Sequence, residues 1–273
     1  MPRPKVMGIV NVTPDSFSDG GRLASVEAAV AHGLALVEQG ADVLDIGGES
    51  TRPGAAPVSE AEEIARTIPV IEGLRAAHWA GPISIDTMKP VVARAAAAVG
   101  ATMWNDVTAL GFAPDSLTTA AELGCEVVLM HMRGEPQSMQ ADPRYGDVVA
   151  EVCAELAARV EAAMAAGVAR ERIVLDPGIG FGKTHAQSFE LIRRLPELKA
   201  RFALPVLLGA SRKRCIGVAS GVQTAGDRVA GSVAAHLYGA MHGADIVRVH
   251  DVAEHRQALG VLRAIQGRHG DIA

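Results

Sequence analysis

The chain has 273 residues, a formal charge of −5 and a pI near 6.0, which argues against a nucleic-acid or membrane-surface partner. Apolar residues make up 49% and aromatics only 3%, so Ala, Val and Leu carry the apolar load, which suits packed strands and Ala-rich helices better than an aromatic-rich binding face. The length suits one (β/α)8 barrel occupying residues 1–273 as a single domain, with a core large enough to need no staples.

Short apolar runs alternate with Ala-rich helical stretches from end to end. The predicted strands are Val6–Val12, Ala41–Ile46, Pro82–Asp86, Thr102–Val107, Glu126–Met132, Ile173–Asp176, Pro205–Ala210 and Asp245–His250. Each is apolar on both faces, as parallel strands under helices must be. The predicted helices begin with Val26–Gln39, which ends at Gly40, and Glu60–Ala77, for which Ser59 and Glu62 make a capping-box start. Pro90–Val99 stops at Gly100, Ser116–Leu123 is short, and Asp147–Ala166 stops at Gly167. Ser188–Leu195, Asp227–Met241 and Val252–Gln266 follow. The uncharged stretch between Arg228 and Asp245 contains Ser232, His236, Tyr238 and His242, and reads as a buried helix rather than a membrane span. Met1–Val12 has no long apolar region, so no signal peptide is expected. Cys125, Cys153 and Cys215 fit neither a disulfide framework nor a zinc motif; a reducing cytoplasm is the expected compartment.

Eight strand-and-helix pairs leave a doubly wound open sheet or a closed barrel. An open sheet gathers its site at one switch point, whereas a barrel draws it from many strand ends. Here nearly every strand ends in a polar residue: Asn11, Asp45 with Glu49, Asp86, Asn105 with Asp106, His131, Asp176, Ser211 with Lys213, and Arg248 with His250. A (β/α)8 TIM barrel with one shared site is the expected fold.

Two motifs resemble nucleotide-binding signatures and fail. A P-loop in Gly178–Thr184 would need glycine where Pro177 stands, and no G-x-G-x-x-G opens a helix after the first strand. The loop Asn11–Gly21 is long for a βα connection and carries Phe17, so a lid is expected; Gly48–Gly54, with Arg52, is similar. Asp86 and Asp176 end apolar strands, where a carboxylate needs a partner. With Asn105 they suit a flat heterocycle with several N–H groups. Arg52, Lys213, Arg248 and His250 suit a multiply charged phosphate ester, which barrels commonly bind after the seventh and eighth strands. His131 can be catalytic or a hydrogen-bonded structural histidine, and both readings stay open. The other helical histidines, His32, His78, His236 and His242, are expected at the surface or in packing. No His/Cys cluster suits zinc, but a hard cation such as Mg²⁺ can take an oxygen from Asn11 and others from substrate phosphates.

From Met7 to about Val252 the chain resembles the dihydropteroate synthase family. The resemblance is carried by Gly8–Gly21, Asp45–Gly54, Ser84–Thr87, Asn105–Val107, Leu129–Met132, Asp176–Lys183, Gly209–Lys213 and Arg248–Asp251, in order and at barrel-strand spacing. It implies a transferase that joins p-aminobenzoate to 6-hydroxymethyl-7,8-dihydropterin diphosphate with Mg²⁺, giving 7,8-dihydropteroate and pyrophosphate. It further implies a cytoplasmic homodimer and a sulfonamide target. Asp86, Asn105, Asp176 and Lys213 resemble the pterin-binding set, with Val107 and Met130 as its apolar surround and Arg248 packed on the ring. Asn11 resembles a metal-linked asparagine. Arg52 and His250 resemble diphosphate contacts; Thr51, Pro53, Phe17, Phe181 and Lys213 resemble the p-aminobenzoate surround. The catalytic group is expected to be Lys213, Arg248, His250 and Asp86. Trp104 and Arg214 depart from the family pattern, the first expected to alter packing, the second the contact to the p-aminobenzoate carboxylate. A methyltetrahydrofolate–corrinoid methyltransferase barrel would share the pterin pocket but has no reason for the phosphate cluster. A non-catalytic pterin-binding paralogue would be expected to lack Asn11, Arg52 or Lys213.

Overall fold

The computed structural model describes residues 3–12, 26–50, 56–134 and 139–267. Its strands are β1 (Lys5–Asn11), β2 (Val43–Gly47), β3 (Ile83–Asp86), β4 (Met103–Asp106), β5 (Glu126–Met130), β6 (Ile173–Asp176), β7 (Leu207–Leu208) and β8 (Ile246–Val249). All pair in parallel, in the order β6-β5-β4-β3-β2-β1-β8-β7. The two ends meet at a Leu175–Val206 bridge, where the Leu175 N–H donates to the Pro205 carbonyl at 2.9 Å. The sheet therefore closes into the expected barrel.

Successive strand residues face opposite sides, and that alternation sorts the core into two layers. Met7, Val43, Met103, Val128, Val174, Leu207 and Ile246 form one buried cluster, the filling of the barrel. Their neighbours, such as Leu44, Ile85, Trp104, Leu129, Leu175 and Val247, belong to a larger cluster shared with the helices. Two residues beyond the filling the inward positions turn polar: Asp45 follows Val43, Asn105 follows Met103, Asp176 follows Val174 and Arg248 follows Ile246. Apolar filling at one end and ionisable groups at the other are thus set by a two-residue step in each strand.

The helices are α1 (Val26–Glu38), α2 (Glu60–Ala76), α3 (Pro90–Ala98), α4 (Ser116–Leu123), α5 (Val148–Ala165), α6 (His185–Arg193), α7 (Leu195–Phe202), α8 (Arg214–Ser220), α9 (Val229–Met241) and α10 (Val252–Ile265). The stops at Gly40, Gly100 and Gly167 are where the sequence places them. Four expectations are corrected. The single helix expected over 188–195 is two, because Pro196 has no N–H to continue a ladder and instead opens α7. A further helix, α8, follows the seventh strand. The strand expected over 205–210 is reduced to Leu207–Leu208, since side chains take the hydrogen bonds at its ends. Asp245 accepts the Val206 N–H at 2.7 Å and His236 accepts the Ala210 N–H at 3.1 Å. The cap of α2 is also only half of the box: Ser59 accepts the Glu62 N–H, while Glu62 turns its carboxylate to Arg66.

Trp104 faces the helices, fully buried, and its Nε1–H donates to the Thr87 carbonyl at 2.7 Å. As expected, it is a packing residue. Trp104→Phe leaves that carbonyl without its donor and should lower stability by about 1–3 kcal/mol in urea unfolding followed by circular dichroism. Substrate KM values should stay at their wild-type level.

Candidate active site

Arg248 enters the barrel mouth from β8 and joins three other strands. Its Nε–H donates to Asp45 Oδ2 at 2.5 Å and its Nη2–H to Asp86 Oδ2 at 2.6 Å. Asn105 donates from Nδ2 to the same Asp45 oxygen at 3.2 Å. The Asp45 side chain is fully buried, while Asp86 and Arg248 keep 15% and 21% of theirs exposed toward the mouth. Burial pushes Asp86 up to about 7, against the pull of Arg248 and with a further push from Asp45. Burial works against the charge on Arg248 too, but Asp45 and Asp86 outweigh it and hold its pKa above the ordinary value.

Asp176, at the end of β6, accepts the Gly178 N–H at 2.7 Å, and burial raises its pKa above the usual carboxylate range. Lys213 opens α8 and sets its ammonium 4.0 Å from the centroid of the Phe181 ring. Burial lowers its pKa to about 8, with Asp176 opposing. Val107 and Met130 are buried on the inward alternation of β4 and β5. His250, just past β8, takes its place from Ser211, whose Oγ accepts its backbone N–H at 3.1 Å and lies 2.9 Å from Nδ1. Asn11 ends β1; a Cβ placed on Gly47 would lie 3.6 Å from both Asn11 Oδ1 and the Asp86 Cβ, so Asn11 and Asp86 flank that glycine.

The expected site residues Asn11, Asp86, Asn105, Val107, Met130, Asp176, Phe181, Lys213, Arg248 and His250 therefore all lie at one end of the barrel. Phe17, Thr51, Arg52 and Pro53 lie outside the described residues. On either side of 51–55, a buried cation ties the chain down. Lys89 donates to Glu49 Oε2 at 2.7 Å, Glu63 Oε2 at 2.6 Å and the Val58 carbonyl at 2.7 Å.

Three strand-end residues do other work. Asp45 carries no role in the sequence reading, yet it anchors Arg248 and Asn105; its signal was the inward position two residues past Val43. Asp106 faces outward and accepts the Thr108 and Leu110 N–H groups at 2.7 and 2.9 Å, shaping the turn after β4. His131 also faces outward, to Glu155 of α5, so the structural reading of that residue holds.

Fold and site together give a parallel barrel with buried carboxylates, an amide and cations gathered at one mouth. Comparison with known proteins narrows this. The pterin binding enzyme family matches residues 7–250. The dihydropteroate synthase of Escherichia coli K12 is 48% identical over 263 residues, 96% of this chain and 91% of its own length. That of Neisseria meningitidis serogroup B is 49% identical over 269 residues, covering 96% and 93%. The Xanthomonas albilineans dihydropteroate synthase solved with 4-aminobenzoic acid matches with a TM-score of 0.90 at 56% identity, covering 97% of this chain and 93% of that one. The same organism's enzyme in complex with 7,8-dihydropteroate matches with a TM-score of 0.87 at 53% identity, covering 97% and 94%. The chain belongs to the pterin binding enzyme family and, within it, to the dihydropteroate synthases.

Protonation of Asp86 removes one of the two anions that hold Arg248. Because burial raises its pKa to about 7, the ion pair is complete above that pH and lost as the pH falls through it. kcat/KM for the pterin substrate should therefore fall on the acid side with a midpoint near 7. In Asp86→Asn it should be low and level between about pH 6 and pH 8, as measured by initial rates across that range.

Proposed function

We propose that this chain condenses 6-hydroxymethyl-7,8-dihydropterin diphosphate with p-aminobenzoate, giving 7,8-dihydropteroate and pyrophosphate. The observation that carries the reading is the Arg248 junction with Asp45, Asp86 and Asn105, beside Asp176 and Lys213, in a chain 48% identical to a dihydropteroate synthase. Asp86, Asn105 and Asp176 offer acceptors and a donor to the ring N–H and carbonyl edge of a pterin, while Val107 and Met130 supply the apolar surround. Arg248 packs on the ring and reaches the phosphates. Lys213, Arg248 and His250 face the diphosphate, and the family resemblance adds Arg52 as a further contact; the bond from diphosphate to the methylene carbon breaks with the electron pair leaving on oxygen. The arylamine nitrogen forms the new bond to that carbon and releases a proton. Cations already fixed beside the leaving group favour the state in which its charge develops. Phe181 and Lys213 hold p-aminobenzoate in line, and the family resemblance adds Phe17, Thr51 and Pro53 to its surround.

Magnesium fits this donor set. Among the described residues no group of three or more His, Cys, Asp or Glu side chains comes together around a cation. Asn11 offers one neutral oxygen, which suits a hard cation that takes its other oxygens from diphosphate and water. Bound there, Mg²⁺ would offset charge on the leaving diphosphate.

We further infer a cytoplasmic homodimer. Three free cysteines suit a reducing compartment. Among the described residues no helix is long and apolar enough to cross a membrane. Tyr238 and Met241 of α9 and Val218 of α8 are exposed apolar side chains of the kind an interface covers. Sedimentation should give twice the chain mass; a single-chain mass would overturn the dimer. The purified protein should release pyrophosphate only when both substrates and Mg²⁺ are present, and a metal chelator should stop it. Asn11→Ala should raise the Mg²⁺ requirement by about tenfold or more. Tight pterin binding with no pyrophosphate release would sink the synthase reading.

A further inference from the structure

Lys183 is among the largest fully buried side chains of the protein, and the reaction above makes no use of it. It ends the glycine-rich turn that follows Asp176 and stands just before Thr184, the cap of α6. Its ammonium donates to His131 Nδ1 at 2.9 Å, to the Phe181 carbonyl at 2.9 Å and to the His131 carbonyl at 3.3 Å, which uses all three donors. An ammonium on Nδ1 requires the ring proton on Nε2, and Nε2 lies 2.9 Å from Glu155 Oε2, which accepts it. The histidine is thereby fixed in one tautomer between a buried cation and an exposed carboxylate.

The turn above this lysine lies directly on the backbone leaving β5. Gly178 and Gly182 have φ of +68° and +62°; a Cβ at either would come within 1.9 Å of the His131 carbonyl oxygen or 2.2 Å of that of Arg133. Only glycine permits that approach in that conformation. Its intervening carbonyls are also held: Gly180 accepts from Gln140 and Gly182 from the Tyr145 hydroxyl. Phe181 is the one large side chain the turn presents to the mouth, and the Lys213 ammonium sits 4.0 Å from its ring centroid. Burial pushes Lys183 down to about 7 and His131 to about 4, so this contact is made against a desolvation cost. The charged groups that face Lys183 are Asp176, Lys213, Glu155 and Arg133.

We propose that Lys183, keyed by the Nδ1 of His131, is a positioning residue for the p-aminobenzoate side of the site, fixing the glycine turn so that Phe181 stands against Lys213. The proposal rests on the assignment of Phe181 and Lys213 to p-aminobenzoate made above. A lysine that served packing alone would, when replaced, lower stability and leave both KM values unchanged. A positioning lysine separates the two substrates instead.

The test is steady-state kinetics of the full chain as Lys183→Met, His131→Gln and His131→Asn. Asparagine places a polar atom near the Nδ1 position and keeps an acceptor for Lys183, whereas glutamine places it near Nε2 and keeps only the link to Glu155. Lys183→Met and His131→Gln should raise KM for p-aminobenzoate by about tenfold or more, with KM for the pterin diphosphate and kcat within about threefold of wild type. His131→Asn should stay within about threefold in all three constants. Equal changes in both KM values, no change in either, or the same behaviour of the two His131 variants would overturn the proposal. If Lys183→Met fails to fold, the His131 pair decides alone. Phe181→Ala and the wild type run alongside separate the causes. A wild type without turnover would sink the reaction, and an unchanged Phe181→Ala would sink the assignment of the ring. Flat Lys183 and His131 variants beside a responsive Phe181→Ala sink only the role of Lys183.

Discussion

The guanidinium of Arg248, bonded to Asp45 at 2.5 Å and Asp86 at 2.6 Å, is the contact on which the barrel mouth depends. Asp45 is wholly buried, and an unpaired carboxylate there would cost several kcal/mol. Arg248 supplies the compensating charge, and its planar fork serves two carboxylates from two strands at once. Two anions and one cation leave an excess of negative charge. Part of it is relieved by the rise of the Asp86 pKa to about 7. A carboxylate in that state favours a partner that brings N–H donors of its own, which is what the edge of a pterin offers. The pocket is thus electrostatically incomplete, and under the proposed function a pterin edge is what completes it.

This junction is possible because the strands are parallel and in register. Asp45 pairs with Ser84 and Ile9, Asp86 with Asn105 and Gly47, and Arg248 with Met7. The same two-residue step that puts Val43, Met103, Val174 and Ile246 in the filling puts Asp45, Asn105, Asp176 and Arg248 at the mouth. The residues one step out of phase do different work. Trp104 packs under the helices, Asp106 shapes a turn and His131 reaches α5. Around the mouth, buried lysines tie down loops at two places, Lys89 on either side of 51–55 and Lys183 below the glycine turn. Each has its donors taken by acceptors inside the protein, so each holds its loop by a contact that is costly to break.

Much of this was legible in the sequence. The alternation of apolar runs and Ala-rich stretches left an open sheet or a barrel, and the row of polar strand ends both chose the barrel and located its site, because inward alternation makes a polar strand end conspicuous. The blocks around Asp86, Asn105, Asp176, Lys213 and Arg248 carried the family. What was missed has physical reasons. The job of Asp45 depends on Arg248, 203 residues away, and no local pattern reveals such a pair. His131 sits in the same kind of block as Asn105, and only the phase of β5 shows that it points away from the mouth. Lys183 enters the sequence reading only within the rejected P-loop Gly178–Thr184 and the block Asp176–Lys183, and only the fold places it in the space below Gly178. The strand over 205–210 shortened because Asp245 and His236, distant in sequence, capture its terminal N–H groups.

The central claim is that Asp45 and Arg248 act as one unit in holding the pterin. A double-mutant cycle of Asp45→Asn and Arg248→Met, read as pterin affinity by titration calorimetry, tests it most directly. The two changes should be strongly non-additive, with a coupling of about 0.5–3 kcal/mol. Additive losses, each substitution costing the same in the presence or absence of the other, would contradict it.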